Sequence, residues 1–158
     1  MNRYLQDKYS WIEGCHALRM GVLDALTDSD LDFCPGGQNM SLGALLRESG
    51  EIEHSYVESL KTFKQDWSYR NAEAGLETSV ARLRAWYQML DDALKAVVSA
   101  FSDEDLTKQV ERSGSNLMPV EMQLDVYLQA LLIFFGKASI YLKAMNKPLP
   151  EGMSEFIG

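Results

Sequence analysis

Apolar residues recur at spacings of three and four in four separate stretches of this chain, and no stretch shows sustained strand alternation. That pattern confines the fold to an all-α bundle of four helices. In the first stretch, Arg3 to Leu26, the positions Tyr9, Ile12, Cys15 or His16, Arg19, Val22 and Leu26 form one inward face. The polar cluster Thr27-Asp28-Ser29-Asp30 ends it, and Pro35-Gly36-Gly37 marks the tightest part of the loop beyond. Ser41 is placed to cap a second helix. Its inner face is Leu42, Leu45, Ser49, Ile52, Tyr56, Leu60 and Phe63, and it ends near Trp67. The third stretch, Ala74 to Phe101, carries Leu76, Val80, Leu83, Tyr87, Leu90, Leu94, Val97 and Phe101. Residues 107–118 read as an exposed connection or a loose hairpin. Pro119, whose missing N–H costs nothing in a first turn, opens a fourth helix that runs to about Met145.

The centre of that last helix, Ala130 to Phe135, is apolar on every side, so it is either central or faces a partner. The expectation drawn is a homodimer through the fourth helix. At 158 residues the chain is sized for a single domain, residues 1–158, with a real core. Acids outnumber bases 23 to 15, which disfavours nucleic acid and anionic membrane surfaces, since both are bound through Lys and Arg. The seven-residue run from Ala130 to Gly136 is far below the ~20 residues that span a bilayer. The N-terminal residues hold no apolar export signal, and Cys15 and Cys34 lack metal or redox spacing. Two reduced, partly buried thiols in a cytoplasmic protein are expected.

Several residue groups have the outline of chemistry, and each has a plainer account. Glu13-Gly14-Cys15-His16 and Glu51-Ile52-Glu53-His54 repeat the E-x-x-H spacing of di-iron bundles. A di-iron site needs two further inward glutamates, and the wheel puts His54 on the solvated side. Glu121 and Asp125 complement the dipole at the start of the fourth helix. Tyr87, Tyr127, Phe134, Phe135 and Tyr141 fit core or interface better than a stacking platform. No phosphate loop, serine elbow or zinc knuckle is present.

Two segments carry a family resemblance: Ser41 to Glu53 (SLGALLRESGEIE) and Gly136 to Pro150 (GKASIYLKAMNKPLP). They resemble the W-S-L-x-x-L-L-x-H-x-x-x-x-E and H-x-x-x-H-R-G-Q-x-x-x-Y-L-R-x-L-G-x-x-P stretches of the DinB-like superfamily of helical-bundle metalloenzymes. The resemblance spans nearly the whole chain in helix order. It implies a four-helix bundle with an up-down-down-up path and a crossover connection, commonly dimeric. It also implies a divalent metal held by one histidine of the second helix and two of the fourth, which activates a low-molecular-weight thiol in transferase or isomerase reactions.

Transferred residue by residue, that ligand set falls on Glu48, Ala130 and Phe134, and the Arg and Gln beside the glycine become Phe135 and Lys137. A methyl group and a phenyl ring cannot ligate an ion. The expectation is therefore no metal and no cofactor at these positions, with Phe134 filling the vacated space. Glu48 then needs a partner, and Arg19 on the first helix is the expected one. The candidate pocket comprises His16, Arg19, Glu48, Ala130 and Phe134. The reading favoured is a metal-free, non-catalytic domain that binds a small ligand or acts by dimerisation. The alternatives are a metal-dependent, thiol-linked enzyme with a rearranged site from Glu48, His16 and a nearby acid, and a purely structural assembly module.

Overall fold

The computed structural model describes residues 1–154. Five α-helices are found among them: α1 (Arg3–Asp7), α2 (Tyr9–Asp24), α3 (Leu42–Thr62), α4 (Val80–Ala100) and α5 (Val120–Ala144). The expected first helix is broken at Lys8, whose φ of −129° and ψ of −28° leave the helical region. The reason lies in the anchoring of α1. Asn2 caps it through Leu5 N–H, and its side-chain amide donates to the Val98 and Phe101 carbonyls at the end of α4. Arg3 reaches Glu121, while Lys8 and the Tyr4 hydroxyl both reach Asp125. Glu121 and Asp125 thus tie α1 to the start of α5.

The second stretch ends at Thr62, five residues before Trp67, because Phe63 turns left-handed at φ 57°. The chain then pairs with a hairpin: Glu111 N–H donates to the Phe63 carbonyl, and Gln65 N–H to the Glu111 carbonyl. That hairpin, β1 (Gln109–Ser113) with β2 (Asn116–Pro119), is antiparallel and turns at Gly114. The third stretch opens with a 3-10 turn at Leu76–Thr78 and becomes α-helical at Val80, where Ser79 accepts from Arg82 N–H as the N-cap. Pro119 is the N-cap of α5 and not its first residue, a one-residue shift at a helix end.

Side-chain pairings fix the helix directions. Along α2 and α4, Glu13 meets Lys95, Arg19 meets Asp91 and Asp24 meets Arg84, so these two run antiparallel. Along α3 and α5, Glu48 meets Lys137 and Ser59 meets Gln123, again antiparallel. Lys8 with Asp125 and His16 with Tyr127 make α2 and α5 parallel. The path is up-down-down-up, and the Phe63–Ser79 connection is the crossover.

The seam between α3 and α4 is close. A Cβ at Gly50 would lie 2.4 Å from the Trp86 ring, and one at Gly43 would lie 1.9 Å from the Glu77 carbonyl oxygen. Neither position has room for any side chain. The Tyr87 hydroxyl crosses the same seam to donate to the Leu46 carbonyl at 2.6 Å.

Helix α5 is long and apolar enough, by length and composition, to cross a membrane, although its longest uninterrupted apolar run is short. Its Leu124, Tyr127, Leu131, Phe134, Ala138 and Leu142 stripe is buried in the bundle, as in a core helix. The five aromatics assigned to core or interface are all buried. The outward side of α5 exposes Met122, Leu132, Ile133 and Ile140 together with Gln129, Lys137 and Lys143.

Candidate functional site: a groove on α3 and α5 beside a buried charged cluster

Glu48, Ala130 and Phe134 come together. With Leu45, Ser49, Ile52, Tyr127, Leu131, Ile133 and Lys137 they line a cavity of about 160 Å³ between α3 and α5. Antiparallel packing of the two helices produces it: Ala130, Phe134 and Lys137 are successive turns of α5, and Leu45, Glu48 and Ile52 are successive turns of α3. A second cavity of about 390 Å³ shares Glu48 and Ile52 and extends to Arg47, Glu51, Trp67 and Arg70. Glu48 therefore stands on the ridge between two adjoining hollows.

The expected Arg19–Glu48 ion pair does not form. The Glu48 side chain is 39% exposed, and its partner is the Lys137 ammonium at 3.6 Å. The buried face of α3 is centred on Leu42, Leu46, Ser49, Glu53, Tyr56 and Leu60, so Glu48 falls at its margin. Arg19 instead donates to Glu53 Oε2 and Asp91 Oδ1, each at 2.5 Å, with its guanidinium 3.9 Å over the Tyr87 ring. His16 belongs with them. Its Nδ1 is 3.0 Å from Asp91 Oδ1, and its Nε2 is 2.8 Å from the Tyr127 hydroxyl and 3.6 Å from Glu53 Oε1.

Neither His16 nor Arg19 lines the groove. Tyr127 separates the two sites, its ring forming part of the cavity wall and its hydroxyl facing the cluster.

Burial pushes the Glu53 carboxyl up, and the Arg19 and His16 charges only partly counter it. Burial also acts on Asp91, but the His16 hydrogen bond and the Arg19 guanidinium outweigh it and hold Asp91 below the usual aspartate range. Burial raises Tyr127 far above an ordinary phenol, with the Glu53 charge adding to the effect. Tyr127 stays a neutral hydroxyl.

His16, Glu53 and Asp91 each offer one ligand atom, all within 4.8 Å of one another, and Glu53 Oε1 is buried without a hydrogen-bond partner. In outline this is a metal centre. The Arg19 guanidinium already bridges the two carboxylates, however, so the cluster holds its own cation. Its geometry is that of a structural ion network.

The remaining sequence candidates are dispersed. Glu13 pairs with Lys95 on the surface, and His54 stacks on Tyr69 at 3.6 Å, so the two E-x-x-H units do not converge. Both cysteines are free: Cys15 is buried, and burial raises its thiol, whereas Cys34 is exposed rather than partly buried. Sequence reasoning missed Glu53, Asp91 and the part played by Lys137. The signal for the first two was present, since Glu53 is four residues past Ser49 and Asp91 four past Tyr87, both on buried faces.

An up-down-down-up bundle with a crossover and a cavity between its second and fourth long helices defines a class of helical-bundle proteins. The model of the DinB superfamily matches residues 13–129, and the chain belongs to that family. A DinB-like protein from Bacillus cereus superposes with a TM-score of 0.71 at 17% identity, covering 90% of this chain and 95% of that one. A DinB-like protein from Bacillus subtilis gives a TM-score of 0.68 at 12% identity over 85% and 90% of the two chains. No curated protein matches.

The metal that the family implies does not fit the groove. Of the three positions on which the motif resemblance places its ligands, Ala130 offers a methyl group, Phe134 a phenyl ring, and Glu48 a carboxylate already facing a lysine.

Proposed function

We propose that this DinB-family protein is a metal-free, non-catalytic binder of a small organic molecule in the α3–α5 groove. The observation that carries the reading is the make-up of the groove wall. Ala130 and Phe134 supply hydrocarbon where coordination would need donors, and the Lys137 ammonium supplies the positive charge beside Glu48. What remains is concave, largely apolar and edged by two opposite charges, as small-molecule sites are.

Elemental analysis of protein purified without a metal-binding tag tests this, together with melting temperatures with and without a chelator. The reading expects substoichiometric metal and no chelator effect, because a bound ion would raise the melting point by mass action. Near-stoichiometric nickel, zinc, manganese or iron overturns it.

The second reading is an enzyme with a rearranged metal site. The convergence of His16, Glu53 and Asp91 favours it, with Glu48 outside the set. The two separate cleanly: metal that is lost in His16→Ala and kept in Glu48→Gln supports the enzyme.

We also propose that the protein forms a homodimer through the outer face of α5. Met122, Leu132, Ile133 and Ile140 are exposed apolar side chains on that helix, with Gln129 among them, and Gly136 leaves open space beside them. Exposed large apolar residues gathered on one helix commonly mark interfaces. Sedimentation should show a dimer that Ile133→Lys converts to monomer; a wild-type monomer at all concentrations contradicts it.

A further inference from the structure

We propose that the ligand of the α3–α5 groove is a small zwitterion with an apolar side chain, of the α-amino acid class. The inference rests on the groove reading and adds the ligand's chemistry to it. The cavity of about 160 Å³ is walled by Leu45, Ile52, Ala130, Leu131 and Phe134, a volume and lining suited to one apolar side chain. Its two hydroxyl-bearing walls face elsewhere. Tyr127 turns its hydroxyl to His16 at 2.8 Å, and the buried Ser49 hydroxyl acts on the Tyr87 phenol. Among the described residues, the charged groups on this cavity are therefore one carboxylate, Glu48, and one ammonium, Lys137.

Those two groups are poised to open. Their separation of 3.6 Å exceeds that of a well-formed charge-assisted hydrogen bond, and their side chains are 39% and 53% exposed. An exposed pair of this kind contributes little to the fold, so parting it costs little. A molecule carrying both an ammonium and a carboxylate on one carbon replaces the pair with two: its ammonium to Glu48 and its carboxylate to Lys137. A ligand with a single charge engages one of the protein's two groups and forgoes the second charged contact. A neutral ligand leaves the internal pair intact and gains only apolar contact.

Amide chemical-shift titrations with four probes test the assignment: L-phenylalanine, N-acetyl-L-phenylalanine, L-phenylalaninamide and 2-phenylethanol. The zwitterion should saturate with shifts centred on Glu48, Ile52 and Lys137. Removing either of its charges should weaken binding by about tenfold or more, the value of one charged hydrogen bond. Glu48→Gln should abolish the preference over the N-acetyl compound, and Lys137→Met the preference over the amide.

Equal binding of all four probes in the groove overturns the zwitterion assignment and leaves the groove reading standing. Absence of any shift at Glu48, Ile52 and Lys137 with every probe, 2-phenylethanol included, overturns both. Retention of both preferences in the two variants places the charges elsewhere and also overturns the assignment.

Discussion

Two ion-paired sites lie back to back in this bundle, separated by the ring of Tyr127, and they differ in almost every physical respect. The inner one joins α2, α3 and α4 through Arg19, Glu53, Asp91 and His16, with Arg19 and Glu53 fully buried and contacts of 2.5 Å. The outer one joins α3 to α5 through Glu48 and Lys137, half exposed and 3.6 Å apart. The inner site is committed. Its charges have no water to return to, so separating them is costly and the network serves to hold the helices in register. The outer site keeps its charges solvated and loosely paired, the condition in which a ligand can compete for them. Under the proposed reading, the site open to a ligand is the exposed, weakly paired one and not the one densest in charge.

The largest effect should follow Arg19→Met. It leaves the buried Glu53 and the partly buried Asp91 without their cation, and denaturant unfolding should show a loss of about 3–5 kcal/mol. Gly50→Ala strikes the seam that brings Glu53 toward Asp91. Its Cβ would meet the buried Trp86 ring at 2.4 Å, and overpacking of this kind should destabilise by about 1–3 kcal/mol.

A smaller, pH-dependent difference should separate wild type from Asp91→Asn. The folded state holds Asp91 below its ordinary range, so its contribution is present above the unfolded aspartate value of ~3.9 and is lost as pH falls through the lower, folded value. Urea melts from pH 7 down to 3 should show the wild-type advantage shrinking toward the acid end. An advantage that grows there would mean that the carboxyl is protonated in the fold. Least affected should be Glu48→Gln and Lys137→Met, each within ~1 kcal/mol of wild type. A larger loss would make the groove pair structural and erase the contrast.

Much of this architecture was legible in the spacing of apolar residues, and the reasons for the misses are specific. Helical periodicity located four bundle helices, and Ser41, Pro119 and the 113–116 turn marked boundaries correctly to within a residue or so. The break at Lys8 and the early end at Thr62 depend on contacts with residues about a hundred and about fifty positions away, the end of α4 and strand β1. Local patterning carries no trace of these.

In the groove, alignment to the family motif placed Glu48, Ala130 and Phe134 together. Arg19 was recognised as inward-facing, yet its partner was assigned by wheel position alone. Leu45 and Ile52 flank Glu48 and made it look internal. Ile52 is itself only partly buried, and the deeper turn of the same face holds Glu53. An inward arginine required an inward carboxylate, and the choice between two glutamates five residues apart turned on where the centre of a helix face lies.

Double-mutant cycles on both pairs, measured by denaturant unfolding under identical conditions, compare the two sites most directly. Arg19 with Glu53 should show a coupling of several kcal/mol, and Glu48 with Lys137 a coupling under ~1 kcal/mol. A groove coupling as large as the buried one would contradict the account, because the outer charges would then belong to the fold and not to a ligand.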